Sequence, residues 1–383
     1  MKLKYAGHMA NDLYWFIFPL ILPTLISRFD LSFGQGGVLL TFYLLITAIG
    51  SFVIGKLSDK FPRREIMGFG FIAAALGLAS TGFAPNFAIF LPLVGITGLA
   101  MSSFHPTMYS LLSEGEEHSR ARTMSLYETS GTLGVLIMFL VNGLLIEQIG
   151  YRGVLIVTAV PGLIMGVIFL RANSLKETRD FSVDNKMTDS AKGKERWILV
   201  VFLISVILRV FSVTAILNFL PTILVNFAGL SVGMASFSTA FFFAGGIIGS
   251  LLAGYLTRKL NSFTILLGGT VLMVFCLPFF GLNLPGEFLI MAAFILGLLG
   301  SGCLINQNLI MSRLGGRFGR GEIFGILMGT MTVTTSISPA LYGASFDRIG
   351  IGPTQWIFTI PMVLSGVILL ILGPRREGQA PRR

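Results

Sequence analysis

Ile49-Gly50-Ser51-Phe52-Val53-Ile54-Gly55-Lys56-Leu57 returns 199 residues later as Ile248-Gly249-Ser250-Leu251-Leu252-Ala253-Gly254-Tyr255-Leu256. Leu22-Pro23-Thr24 recurs as Leu220-Pro221-Thr222, and Gly70 and Gly98 recur as Gly269 and Gly297, all at an offset of 198 or 199. Ile149-Gly150 reappears at Ile349-Gly350. Chance gives one such coincidence, not a run of them in register. The 383-residue chain therefore reads as two copies of one unit.

Each copy is built from apolar stretches. Only 12% of the residues are charged, against roughly 25% in an ordinary soluble protein, and 54% are hydrophobic. A surface so poor in charge is expected to face lipid. The 46 glycines suit close helix packing there. About 20 apolar residues cross the hydrocarbon core as a helix. Twelve stretches qualify: 9–27, 36–54, 66–83, 87–112, 123–146, 153–170, 197–225, 233–256, 262–280, 288–311, 323–344 and 353–372.

The polar stretch 171–196 divides them six and six. The expected organisation is a six-helix bundle at 1–170, a linker at 171–196, a second bundle at 197–372 and a basic tail at 373–383. Six spans preserve orientation, so the repeat is parallel, and such halves rock about a site near the membrane midplane.

Of the 28 Lys and Arg residues, 24 fall on the side of the termini. Arg28, Arg152 and Arg348 fall opposite, and Arg209 lies within a span. That bias predicts cytoplasmic termini and a multi-pass protein of the inner membrane. The net charge of +10 is spread over short loops and forms no single patch, so nucleic acid is not an expected partner. The first span carries His8, Asn11 and Asp12 and no small-residue cleavage site, so it is expected to stay in place. Cys276 and Cys303 fall in apolar stretches and read as inert thiols. Three scattered His and no acidic cluster offer no metal-ligand set. No cofactor is expected, and a monomer is. No nucleophile–base pair or phosphate loop points to an enzyme.

Polar groups inside spans are costly to bury, so they mark candidate sites. Arg209 is about twelve residues into span 7, hence about 18 Å along a helix. Its guanidinium stays charged. It either meets an anionic substrate or works in gating, or it holds a permanent pair with Asp12 or Glu128. Asp12, one turn from His8 on the same face, is either a proton-coupling carboxylate or a helix-end cap. Burial and a nearby cation pull a carboxylate in opposite directions, which lets it load and release a proton. Glu128 is a second coupling candidate, or else a gate paired with Arg120 or Arg122. Asn142 lies fourteen residues on, within about 40° of the same helix face. His105 is a third candidate, either a proton sensor beside the helix break that Pro106 imposes, or a packing residue. Ser102, Ser103 and Thr107 stand near that break. Asn306-Gln307-Asn308 spreads over about 200° of span 10, so at least one amide contacts substrate or another helix. Asn142, Asn306, Asn308, Asn11, Tyr14, Trp15, Tyr43 and Tyr127 are candidate cavity residues.

The loop Gly55-Lys56-Leu57-Ser58-Asp59-Lys60-Phe61-Pro62-Arg63-Arg64 resembles the major facilitator signature G-x-L-[AS]-D-[RK]-x-G-R-[RK]. Pro62 stands where Gly is usual, and Arg258 replaces the Asp in the second copy. The resemblance implies the major facilitator fold: an all-α membrane protein of twelve transmembrane helices in two pseudo-symmetric six-helix bundles. Spans 1, 4, 7 and 10 would line the cavity, and Gly55, Asp59, Arg63 and Arg64 would latch the halves in one state. A narrower resemblance is to the fosmidomycin-resistance family. It rests on His8-x-x-Asn11-Asp12, Phe104-His105-Pro106, Arg209 followed by Phe219-Leu220-Pro221, and Gly229-Leu230-Ser231. It implies proton-coupled efflux (antiport) of a small drug-like or anionic compound. The alternatives are a proton-coupled importer of a small organic acid or nutrient, and a non-transporting membrane receptor or scaffold.

Overall fold

A computed structural model describes residues 2–58, 60–113, 117–172, 193–315 and 320–373. Helices account for nearly all of them. Lys2–Asp12 (α1) and Ile17–Phe29 (α2) together make the first crossing. Phe33–Leu57 (α3) and Arg63–Thr81 (α4) make the second and third. Phe87–Met101 (α5) and Phe104–Ser113 (α6) share the fourth. Glu117–Arg171 (α7) holds the fifth and sixth, folded at Gly150, whose φ of 67° suits glycine. The hairpin is shown by Asn142 and Thr158, which stand on either side of the fold and hydrogen-bond at 3.0 Å. Gly193–Asn226 (α8), Val232–Leu256 (α9) and Ser262–Cys276 (α10) follow, then Gly286–Gly315 (α11), Arg320–Ile349 (α12) and Ile351–Leu372 (α13). Gly350, at φ 75°, turns α12 into α13 as Gly150 turns the fifth crossing into the sixth. The twelve crossings of the expected fold are thus present. Residues 173–192 of the expected linker and 374–383 of the expected tail lie outside the described residues, and α8 already begins at Gly193.

Two crossings are broken, and proline explains both breaks. Pro19 is the third residue of α2, and Pro106 is the third residue of α6. A proline is tolerated in a first turn but clashes with the carbonyl four residues back, so the helix above it must end. Residues 13–16 accordingly tighten into turns, with Tyr14 N–H on Asn11 O at 3.1 Å and Trp15 N–H on Asp12 O at 3.2 Å. At the second break Ser103 N–H reaches Ala100 O at 3.2 Å, and the Ser102 hydroxyl donates to Leu99 O at 2.5 Å. Ser102 thus caps a carbonyl at the break, while Thr107 Oγ1 has no partner among the described residues.

The two halves meet at the end remote from the N-terminus, here the far end. Helix α3 lies on α12 so closely that a side chain at Gly37 would strike Pro339 O, and one at Gly343 would strike Phe33 O. Gly143 and Gly233 bring α7 onto α9 in the same way. Polar contacts reinforce both seams. Asp347 accepts hydrogen bonds from Phe33 N–H at 2.9 Å and Gly34 N–H at 2.7 Å, at the start of α3. Glu147 accepts from Gly233 N–H at 3.3 Å, at the start of α9. Ala340 N–H donates to Thr41 Oγ1 at 3.1 Å, and the Ser236 hydroxyl to Phe139 O at 2.9 Å. Each carboxylate meets the positive end of a helix in the other half, worth about 0.3–1 kcal/mol at an exposed site. Asp347→Asn combined with Glu147→Gln should therefore loosen the far end. In a background without native cysteines, Ser236→Cys should then react several-fold faster with a polar thiol reagent added from that side. Unchanged labelling would show that the carboxylates do not hold the far end shut.

Candidate functional site

The α1–α2 break leaves Asp12 at a helix end inside the protein, with His8 one turn above it. The α5–α6 break delivers His105 to the same point. Asp12 Oδ2 lies 3.3 Å from His8 Nε2, and Asp12 Oδ1 lies 3.3 Å from His105 Nε2. The His8 side chain is 3% exposed, Asp12 17% and His105 24%, so solvent access rises toward His105. His8 Nδ1 meets the backbone carbonyl of Tyr127 at 2.6 Å. A carbonyl only accepts, so this nitrogen carries a proton. Asn11 Nδ2 reaches His105 Nε2 at 3.0 Å and Asp12 Oδ1 at 3.3 Å. The His8 ring stacks on Tyr127, centroids 3.8 Å apart, and Trp15 meets His105 edge-on.

This cluster heads a cavity of about 250 Å³ lined by His8, Asp12, Trp15, Phe16, His105, Tyr109, Glu128, Thr132, Val135 and Phe243. The far-end seams lie on the other side of it. Phe16, Phe139 and Phe243 interlock between the two, with Phe16–Phe243 centroids 5.3 Å apart and Phe139–Phe243 5.5 Å apart. Two carboxylates and four aromatic rings line the walls, and no Lys or Arg stands among the described lining residues.

The sequence candidates divide accordingly. Asp12, His105, Glu128, Trp15 and Asn11 come together here. Glu128 accepts a hydrogen bond from Tyr109 OH at 2.6 Å. The side chains of Arg120 and Arg122, its other suggested partners, lie outside the described residues. Tyr14 and Tyr43 are wholly buried and bonded to backbone, Tyr14 OH to Ala159 O at 3.1 Å and Tyr43 OH to Tyr14 O at 3.2 Å. They pack the first half instead of lining this cavity. Asn142 is committed to Thr158, away from Glu128. Asn306 donates to Gly302 O on its own helix, and the Oδ1 atoms of Asn306 and Asn308 have no partner among the described residues. The amide between them, Gln307, instead accepts a hydrogen bond from the Arg209 guanidinium.

Arg209 is buried at 3% exposure, and its Nη1 has no partner among the described residues. It does not line this cavity and touches neither Asp12 nor Glu128, so the permanent pair with either is corrected to a bond with Gln307. Crossings 1 and 4 line the cavity as expected. Among the described residues crossings 7 and 10 contribute no lining side chain, whereas crossings 5 and 8 do. Two of the three histidines that looked scattered converge with Asp12, their donor atoms all within 4.8 Å. In the signature loop, Asp59 lies outside the described residues, Arg63 is buried, and Arg64 stands 3.7 Å from Glu65. A Cβ at Gly55 would sit 3.7 Å from Pro106, an ordinary contact, so no tight packing there demands glycine.

The Major Facilitator Superfamily profile matches residues 5–317 and 202–383. The chain belongs to the Major Facilitator Superfamily. Superfamily members are transporters, not enzymes, and this one is a multi-pass membrane transporter. It is 24% identical over 383 residues to the MFS-type transporter YfnC of Bacillus subtilis (strain 168), covering 95% of this chain and 90% of that one. It is 25% identical over 359 residues to the fosmidomycin resistance protein of Escherichia coli (strain K12), covering 86% of each. The solved structure of a bacterial homologue of the human lysosomal transporter Spinster, inward-facing and occupied, superposes with a TM-score of 0.78. That match covers 97% of this chain and 95% of that chain at 15% identity.

One site residue of this superfamily member escaped the sequence as a contributor. Gly131 faces the cluster, and a Cβ there would meet Asp12 Oδ2 and sit 2.6 Å from His8 Cε1. Only its place on the helix facing α1 marks it. Gly268 in α10, by contrast, has nothing within 4 Å of an added Cβ. Gly131→Ala should overpack the site and cost about 1–3 kcal/mol, seen as a lower unfolding temperature in detergent. Gly268→Ala should hold or raise that temperature, through a helix preference of about 1 kcal/mol. Equal shifts for both would contradict the packing.

Proposed function

We propose that the protein is a proton-coupled antiporter that exports a small drug-like compound by alternating access. The observation that supports this most is the carboxylate of Asp12, set between two imidazoles at the head of a cavity whose far end is shut. The carboxylate and the two imidazoles stand close enough for a proton to pass among them. In this reading Asp12 carries the coupling proton, with His8 and His105 as its immediate exchange partners. Glu128, hydrogen-bonded to Tyr109, is a second acid that a bound compound would displace from its partner. The Lys and Arg bias supports cytoplasmic termini, and with them the cavity would face the cell interior and load from it. The inner membrane is the expected location and a monomer the working unit, rocking 1–170 against 197–372.

The lining also refines the cargo. An anion was expected because of Arg209. With that guanidinium held on Gln307 and carboxylates in the walls, the cavity suits a compound with an aromatic body and a positively charged group. Arg209 then enters as a gating residue, its unpartnered Nη1 available for a new partner when the halves rock. The signature loop with Gly55, Asp59, Arg63 and Arg64 would latch the opposite state.

A susceptibility panel in an efflux-deficient host should identify a toxic compound to which expression gives resistance. Growth that instead depends on supplying a nutrient would indicate import. In vesicles, Asp12→Asn should abolish uphill movement of that compound under a pH gradient while leaving downhill exchange. Arg209→Ala should slow both. Uphill movement that survives Asp12→Asn removes Asp12 from coupling, and no flux of any compound in the wild type would favour a receptor or scaffold.

A further inference from the structure

We propose that His8, Asp12 and His105 form a binding site for one divalent transition-metal ion of the zinc class. The spacing comes first. Each histidine Nε2 lies 3.3 Å from a different oxygen of Asp12. Direct charge-assisted hydrogen bonds favour about 2.7–2.9 Å, so these contacts are long for a bare ion pair. Zinc bonds to N and O of about 2.0–2.1 Å place tetrahedral ligand atoms about 3.3 Å apart. With a single Asp12 oxygen as ligand, one donor atom from each of the three residues falls within 4.8 Å of the others, so small side-chain rotations close the set.

Hydrogen-bond roles point the same way. His8 Nδ1 donates to Tyr127 O, which leaves the lone pair of a neutral imidazole on Nε2, facing a carboxylate. His105 Nε2 accepts from the Asn11 amide and so also presents a lone pair toward Asp12. The amide orientation is supported because its nitrogen faces Asp12 Oδ1 as well, which only accepts. Three lone-pair donors thus converge on a point that a cation would stabilise, and an arriving ion displaces the Asn11 N–H from His105. Metal-bound histidines usually donate their other ring nitrogen to a carbonyl or a similar group. Tyr127 supplies both here, its backbone carbonyl to His8 and its hydroxyl 3.5 Å from His105 Nδ1. With three protein ligands, the fourth position opens on the cavity beside Trp15 and Tyr109, as in exchangeable sites and unlike closed structural ones. The site stands whether or not Asp12 carries a transport proton. A metal ion and a proton would compete for the same lone pairs.

The test uses purified full-length protein, without a histidine tag, in detergent. Titration with Co²⁺ should produce visible ligand-field bands that saturate at one ion per chain and bleach when Zn²⁺ is added. Asp12→Asn and His105→Ala should each weaken binding at least on the order of tenfold. Replacing both Cys276 and Cys303 with serine should leave the bands intact. If His105→Ala does not fold, X-ray absorption of the wild-type Zn²⁺ form decides, with imidazole scattering from two histidines expected. Absent bands in folded wild type, bands that persist without His105, or sulfur scattering would overturn the site. Neither a gradient nor a cargo enters this measurement, so its failure leaves the transport reading standing, and failure of coupling in vesicles leaves the metal site standing.

Discussion

Two carboxylates seated on the backbone N–H groups of helix starts clasp the molecule at one end, across seams where the two halves pack closely, and the cavity lies on the other side of that closure. Glu147 and Asp347 precede Gly150 and Gly350 by the same three residues, and Gly233 and Gly34 occupy matching places in α9 and α3. One contact is thus made twice by a repeated sequence, in both cases from the fifth crossing of one half to the second crossing of the other. Its strength is modest, about 0.3–1 kcal/mol per site. That is suitable for a protein that must open there. Since about 1.4 kcal/mol changes a population tenfold, two weak clasps bias the closed state without trapping it. A buried ion pair at the same place would cost several kcal/mol to break.

With the far end shut, the broken helices decide what the open side presents. An unbroken α1–α2 would carry Asp12 on a continuous helix wall. The turn ahead of Pro19 instead ends the helix at Asp12 and lets its carboxylate meet His105 of the fourth crossing as well as His8 of its own helix. The break ahead of Pro106 does the same for His105. Among the described residues neither is paired with a Lys or Arg; each meets an imidazole, a carboxylate or an amide. Arg209 is the contrary case. Its charge is constant, its burial nearly complete, and its bonded partner a neutral amide. A fixed charge in such surroundings suits a gate better than a carrier of protons.

Much of this architecture is legible in the chain. The repeat, the twelve apolar stretches and the long polar division give the two-bundle fold, because span length and register are local properties. Pro106 announces its break, and His8 and Asp12 share a face by helical spacing alone. What periodicity cannot supply is the neighbour across a seam. His105 reaches Asp12 from 93 positions away, which hid the donor set behind three histidines that looked scattered. Asn142 shares an approximate face with Glu128, yet the hairpin at Gly150 brings Thr158 to it first. The triplet at 306–308 showed that one amide must serve another helix, but only packing selects Gln307. The carboxylates of the far end lie in the repeat itself. Their role needs the opposite half to be in place.

The aromatic roof links closure to the site. Phe16 follows Asp12 by four residues, inside the same helix break, and meets Phe243 of the other half. Opening the far end must part Phe243 from Phe16 and Phe139, at about 0.5–1.5 kcal/mol for each aromatic pair beyond area burial. That separation releases one end of the segment 13–16, whose other end holds the carboxylate. Whatever cation occupies Asp12 therefore bears on the same short turn that the roof braces. The cluster and the roof thus brace the two ends of one four-residue turn.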